Sequence, residues 1–239
     1  MTPSRDCASE IVDERLTDPA GNRTFLLVGA RGGGKSTTLR AIERALRAQD
    51  MVIAAIDLDR SGISASHVTA FDLLYLSAVK LLEHVAGSDR ETLFTDLAQA
   101  YAGEQEAAQL GTVEEALKGI AGFGGGVTAV AATAGLMTGA APAIAGTAAA
   151  VAAGVKLLSR DEVVPESSPR GRRLQAASQR VARTVRSEQS GRPLCVVVDG
   201  LEKMNGQAAE RFRQIFEETR LLADSDWNGV IAADRKSVV

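Results

Sequence analysis

One short run of the 239-residue sequence combines glycines, a lysine and a hydroxyl side chain at a fixed spacing. The run reads Gly29-Ala30-Arg31-Gly32-Gly33-Gly34-Lys35-Ser36 and fits the pattern G-x-x-x-x-G-K-[ST]. Glycines let backbone N–H groups curl around phosphate oxygens, because no Cβ obstructs the approach. The spacing therefore predicts a site for nucleotide phosphates, with Lys35 at the β- and γ-phosphates and the Ser36 hydroxyl on Mg²⁺.

The segments on either side of this run have the patterns of a strand and a helix. Residues 24–28 are a short apolar run, and residues 35–49 carry Leu39, Ile42 and Leu46 at helical spacing. A helix that begins here points the positive end of its dipole at a bound anion. Strand, loop and helix together predict a phosphate-binding loop. Its predicted nucleotide-binding residues are Gly29, Ala30, Arg31, Gly32, Gly33, Gly34, Lys35, Ser36 and Thr37, the last placed by position next to the α-phosphate.

A second apolar run ends in an acid. Residues 194–198 read as a buried strand, and Asp199 follows them directly. Ligands of open α/β sheets gather at the carboxyl ends of the strands, so Asp199 is the predicted Mg²⁺ carboxylate. Asp57, at the end of the apolar run 51–58, is the alternative. Asp199 is preferred because its strand is more continuously apolar.

Strand-like and helix-like segments alternate along the whole chain. Apolar runs near 24–28, 51–58, 194–198 and 229–233 alternate with helical patterns at 67–86, 91–118, 172–188 and 207–223. This order predicts an α/β fold with a parallel sheet in a three-layer αβα arrangement. The predicted organisation is a leader at 1–23, a first core part at 24–110, an insertion at 111–170 and a second core part at 171–239.

The insertion contains a window without charge. Residues 119–155 include nine glycines and fourteen alanines among 37 residues. Small residues at four-residue spacing and the basic residues after the window suit a membrane hairpin of two spans. Only nine of the 37 residues are large and apolar, which favours an insertion that stays outside the membrane. Both interpretations stay open at this point.

The segment Val198-Asp199-Gly200-Leu201-Glu202-Lys203, taken with the glycine loop, resembles the hhhhDGL[DE]K segment of the STAND and KAP-type P-loop ATPases, near the AAA+ group. The resemblance implies a P-loop NTPase core, ATP and Mg²⁺ as ligands, and Asp199 on a Walker B strand. The sequence differs from typical AAA+ enzymes at Gly200, because those enzymes carry a catalytic Glu at this position. Glu202 is the nearest candidate to orient the attacking water; otherwise it is a surface acid, hydrolysis is slow and the protein acts as a nucleotide switch.

The same resemblance implies elements beyond those in the sequence. It suggests a sensor position at the fourth strand, for Asp234 or Arg235, although Ala232 and Ala233 fill the usual polar position. A fifth strand and a helical lid would follow Val239, so the sequence is expected to be a fragment of a longer protein. Other protein domains or self-association through that part are the expected partners. KAP-type ATPases also carry membrane helices between their two nucleotide motifs.

Composition and charge limit which partners, cysteine chemistry and compartment the sequence is compatible with. The net charge is −3, so no overall positive field attracts nucleic acid. The two cysteines, Cys7 and Cys195, form no zinc or disulfide pattern, and residues 1–16 are too polar for a secretory signal. A cytoplasmic location follows as the expectation, with the cytoplasmic face of the inner membrane as the alternative. A small-molecule kinase is a third, weaker hypothesis.

Overall fold

The computed structural model describes residues 23–29, 32–58, 68–102, 116, 168–201 and 225–234. The strands are β1 (Thr24–Gly29), β2 (Val52–Asp57), β3 (Leu194–Asp199) and β4 (Asn228–Asp234). The helices are α1 (Lys35–Ala48), α2 (Ala70–Leu81), α3 (Gly87–Ala102) and α4 (Pro169–Glu188), with a short 3-10 helix at Leu82–His84 after α2.

The four strands form one parallel sheet in the order β1-β4-β3-β2. Strands that are consecutive along the chain therefore run in the same direction and are joined by crossovers. Parallel pairing of this kind requires helices on the faces of the sheet, and the helices of the described residues lie there. The predicted α/β class with a parallel sheet is confirmed.

Side chains alternate strictly along each strand, so each strand contributes side chains to two cores, one on each face of the sheet. In β3, Val196 and Val198 point to one face, and Cys195 and Val197 point to the other. The smaller core lies beneath α1, which contributes Leu39, Ile42 and Leu46; we call this side the α1 face. The larger core lies beneath α2, α3 and α4; we call this side the α2–α4 face. The predicted three layers are therefore present.

Two helices begin earlier than the sequence pattern predicts, and one begins later. Helix α2 begins after Thr69, whose Oγ1 accepts from the Asp72 N–H while Asp72 Oδ2 accepts from the Thr69 N–H. Ser168 caps α4 through a bond from the Gly171 N–H, so this helix begins at Pro169 and not at residue 172. Helix α3 begins at Gly87, not near residue 91. Capping side chains mark the starts of α2 and α4, and apolar spacing does not detect such caps.

A buried polar cluster joins three helices on the α2–α4 face. Asp72 is only 5% exposed, and its Oδ1 accepts from the Tyr101 hydroxyl at 2.5 Å. Arg170 Nε donates to the Tyr101 carbonyl at 2.7 Å, and its guanidinium lies 5.2 Å from the centre of the Phe71 ring. Burial raises the pKa of Asp72, and the hydrogen bonds from Tyr101 and Thr69 oppose that rise. These contacts hold the end of α3 against the start of α4.

Several predicted segments lie outside the described residues. They are the leader up to residue 22, the uncharged window 119–155 and the helical pattern 207–223. Among the helices that the structure does describe, none has the length and apolar character needed to cross a membrane. The membrane hairpin therefore remains a sequence-based prediction.

The Asp72–Tyr101 bond yields a test of stability. Tyr101→Phe removes a hydrogen bond to a buried carboxylate, so we expect it to lower the free energy of unfolding at neutral pH by about 1–3 kcal/mol. Since the folded chain holds the Asp72 proton more tightly than the unfolded chain, Asp72 favours folding most at low pH and progressively less as the pH rises above its ordinary value of 3.8. The decrease in the free energy of unfolding caused by Tyr101→Phe should therefore become smaller at low pH, where Asp72 is protonated.

Urea unfolding at a series of pH values measures this loss. Tyr75→Phe is the matched control, because Tyr75 stacks on the Tyr101 ring, with 4.2 Å between ring centres, and is not among the groups that shift the pKa of Asp72. A Tyr101→Phe loss that is independent of pH, or equal to that of Tyr75→Phe, would contradict the interpretation.

Candidate functional site

The glycine-rich turn between β1 and α1 uses left-handed backbone conformations. Gly32 has φ +76° and Gly34 has φ +79°, and L side chains rarely adopt either value. A Cβ built at either position meets no atom within 4 Å. The two glycines are therefore required by the backbone and leave open space beside the turn. Ala30 and Arg31 of the predicted loop lie outside the described residues.

Helix α1 begins without a capping side chain. Gly34 occupies the N-cap position, and no side chain bonds to the first-turn N–H groups. The Gly34 carbonyl instead accepts from the Thr38 N–H at 2.9 Å and from Thr38 Oγ1 at 3.2 Å. First-turn N–H groups and the helix dipole together favour an anion at this end. Ser36 is half-buried and Thr37 is exposed in the same turn.

Lys35 is held at the carboxyl end of β1. Its side chain is 5% exposed, and its Nζ donates to the Gly29 carbonyl at 2.9 Å. A Cβ at Gly29 would lie 3.3 Å from Lys35 Cγ, tighter than most contacts of this kind. The missing side chain at Gly29 thus makes room for the lysine to fold back over the strand. This contact places a positive charge at the edge where the glycine turn begins.

Asp199 ends β3 at the same edge of the sheet as Gly29. Since Val198 points into the core of the α2–α4 face, alternation places Asp199 on the α1 face. The following residue turns the chain sharply: Gly200 has φ +94°, and its N–H donates to Asp199 Oδ1 at 2.9 Å. The site is therefore approached by a half-buried carboxylate from β3 and an ammonium group from α1.

Asp57 lies directly beside Asp199. The two residues are Cα partners in the parallel register of β2 and β3, and the Leu58 N–H donates to the Asp199 carbonyl at 3.1 Å. Ile56 and Leu58, on either side of Asp57, are buried in the core of the α2–α4 face, so Asp57 also falls on the α1 face. The sequence pattern treats the two acids as alternatives, whereas the structure brings both to one place.

The remaining predicted residues are only partly described. The backbone of β4 lies between β1 and β3, and Asp234 is the Cα partner of Gly29. Glu202 and Arg235 lie outside the described residues. Within the described ranges, no group of three or more His, Cys, Asp or Glu side chains could hold a metal ion. A Mg²⁺ ion shared between phosphates and one or two protein oxygens needs no such group.

The comparison with protein families decides the class. A family described as AAA ATPase domain matches residues 9–225. The chain belongs to this family. The predicted P-loop NTPase of AAA+ type is confirmed, and with it nucleotide binding and the use of ATP. No curated protein and no solved structure matches the chain. The assignment to the STAND or KAP subgroup stays a prediction.

A matched pair of glycine variants separates backbone strain from nucleotide binding. Gly34 and Gly191 have nearly equal φ values, +79° and +77°, and both have open space at the Cβ position. Alanine at either position should cost about 1–2 kcal/mol of folding stability through left-handed strain. If the turn binds phosphates as the sequence predicts, only Gly34→Ala should also weaken Mg-ATP binding, by about tenfold or more, because it would displace the backbone N–H groups of the turn.

Thermal unfolding and calorimetric titration of the two variants make the comparison. Gly191 follows α4 at the opposite end of β3 from Asp199, so it serves as the control for strain alone. Equal loss of ATP affinity in both variants would count against a phosphate-binding role for the turn.

Proposed function

We propose that this AAA ATPase domain binds Mg-ATP through Gly29–Thr37, hydrolyses it and uses the cycle as a conformational switch. The observation that carries the proposal is the placement of Lys35 and Asp199 at one edge and on one face of the sheet. A lysine and a carboxylate next to an uncapped helix end match the needs of a triphosphate with its metal ion.

The residues at this edge of the sheet fit both a triphosphate and a Mg²⁺ ion. The open Cβ positions at Gly32 and Gly34 leave space for phosphate oxygens near backbone N–H groups. Ser36 and Asp199 offer a hydroxyl and a carboxylate oxygen, which are the ligand types that Mg²⁺ prefers. Mg²⁺ bound there would neutralise charge on the β- and γ-phosphate oxygens.

The chain's own residues then have separate roles. The backbone of the glycine turn and the first turn of α1 would bind the phosphates, with Ala30, Arg31 and Thr37 included by their positions in the motif. Lys35 would neutralise the β- and γ-phosphates. Glu202 remains a sequence-based candidate for the group that orients water.

The switch rests on the path of the chain after Asp199. Asp199 lies on the α1 face, whereas Leu201, two residues later, is fully buried in the core of the α2–α4 face. Gly200, with its positive φ, connects them. A shift of Asp199 with the state of the nucleotide would therefore press on the core that carries α3 and α4. Helix α3 ends at Ala102 and α4 begins at Pro169, so a shift of these two helices would reach both ends of the predicted insertion.

A membrane-associated KAP-type protein is the alternative function. The uncharged window 119–155 favours it, and the contact between Arg170 and the Tyr101 carbonyl brings the two sides of the insertion together, as a hairpin would need. In that case the state of the nucleotide would gate the hairpin. The small number of large apolar residues in the window supports the first proposal over this one.

The central test replaces the lysine. Lys35→Ala removes a charged contact to the phosphates, so we expect the Kd for Mg-ATP to rise about 10- to 100-fold. Lys80→Ala is the control, since Lys80 pairs with Glu83 on the opposite face of the sheet. Asp199→Asn should mainly reduce the gain in affinity that Mg²⁺ provides. Calorimetry with and without Mg²⁺ measures all three; unchanged binding in Lys35→Ala would overturn the proposal.

A separate test addresses the membrane alternative. Because few residues of the window are large and apolar, we expect the full chain to stay in the supernatant after cell lysis without detergent. Sedimentation and an alkaline carbonate wash of the membrane fraction measure this. A carbonate-resistant membrane fraction that disappears when residues 119–155 are deleted would establish the hairpin instead.

A further inference from the structure

Two acids end neighbouring strands at the edge of the sheet where the glycine turn begins. A Mg²⁺ ion that is also bound by phosphates needs only one protein carboxylate. Asp57 and Asp199 are in register, both are half-buried, and alternation places both on the face that α1 covers. Lys35 belongs to α1 and lies at the same edge. Three charged side chains from three elements thus converge on one side of the sheet.

The order of the strands ranks these acids by distance from the glycine turn. Neighbouring strands lie about 4.8 Å apart, so β3 is about 10 Å and β2 about 14 Å from β1. Ser36 and Asp199 would hold the metal ion, and because Ser36 lies in the first turn of α1, the nearer acid, Asp199, suits this role. The attacking water lies farther out, because it approaches the γ-phosphorus from the side opposite to the leaving β-phosphate. That outer position suits Asp57.

The segment after Asp199 leaves the α1 face at once. Gly200 has no side chain, and its N–H is bonded to Asp199 Oδ1. Leu201 is fully buried in the core of the α2–α4 face. Through residue 201, β3 and its continuation therefore bring no second carboxylate to the α1 face, whereas β2 does.

We propose that Asp57 is the catalytic base of ATP hydrolysis, a role that rests on the proposed Mg-ATP site. Its carboxylate accepts a proton from water while the water oxygen forms a bond to the γ-phosphorus. The bond from that phosphorus to the β–γ bridging oxygen breaks, and its electron pair leaves with ADP. The proton passes from Asp57 to solvent, so the products are ADP, inorganic phosphate and one proton.

The test separates binding from turnover. Asp57→Asn keeps the shape of the side chain and removes the base, so steady-state kcat should fall by roughly 10²- to 10⁴-fold. The Kd for Mg-ATP should stay within about twofold, because proton abstraction is not part of ground-state binding. Asp96→Asn is the matched control: Asp96 lies on α3 in an exposed pair with Arg180 and should keep wild-type kcat.

Two further variants exclude a merely structural role. Asp57→Glu restores the carboxylate at a slightly different reach and should recover part of the lost rate. Asp57→Ala should regain hydrolysis in added formate, which can enter the vacated space as a base, whereas Asp199→Asn should not. A residue that acts only by packing would give neither response.

The outcomes distinguish this inference from the proposed function. If wild-type protein binds and hydrolyses ATP but Asp57→Asn does so at the wild-type rate, the inference is overturned and the function stands. If turnover is lost only in Glu202→Gln or only in Asp234→Asn, that acid is the catalytic base. This result would also overturn the inference about Asp57. Wild-type protein that binds no Mg-ATP would refute the proposed function, and the inference with it.

Discussion

The parallel register of the sheet is the constraint on which the candidate site depends. Gly29, Asp57 and Asp199 come from distant parts of the chain, yet each ends a strand, and parallel pairing brings those ends to one edge. Alternation then places both acids on the side where α1 begins. A slip of one residue in β2 or β3 would turn its acid toward the opposite core and move its apolar side chains from one core into the other, so the packing of the two cores maintains the geometry of the site.

The glycine turn and the buried strands could be predicted because their signals are local. Gly29–Ser36 carries its chemistry within eight residues, and the strand ending at Asp199 is apolar without interruption. The pairing of Asp57 with Asp199 could not be predicted. The register of two strands depends on contacts between residues far apart in sequence, here 199 − 57 = 142 positions. From the sequence alone, two strand-end acids compete for one role, whereas the assembled sheet accommodates both.

The Asp72 cluster illustrates the same limit on the other side of the sheet. From the sequence, Asp72 is a polar residue within the predicted helix 67–86, and nothing local marks it as buried. Its partners are a tyrosine 29 residues away and, through that tyrosine's carbonyl, Arg170, the last residue of the predicted insertion. Burial of such an acid is tolerated because each carboxylate oxygen accepts hydrogen bonds, which offset the loss of water. The cluster therefore joins the end of α3 to the starts of α2 and α4.

The two faces of the sheet differ in a way that suits a nucleotide-dependent core. The α2–α4 face contains the larger set of buried side chains, and three helices cover it. The α1 face has a smaller core, and β1, which leads into the glycine turn, is only half-buried. Elements with less buried apolar surface open at lower free-energy cost. Under the proposed function, binding energy from phosphates at Lys35 would stabilise the less buried half of the fold, and Asp199 and Gly200 would pass that change to the more buried half through Leu201.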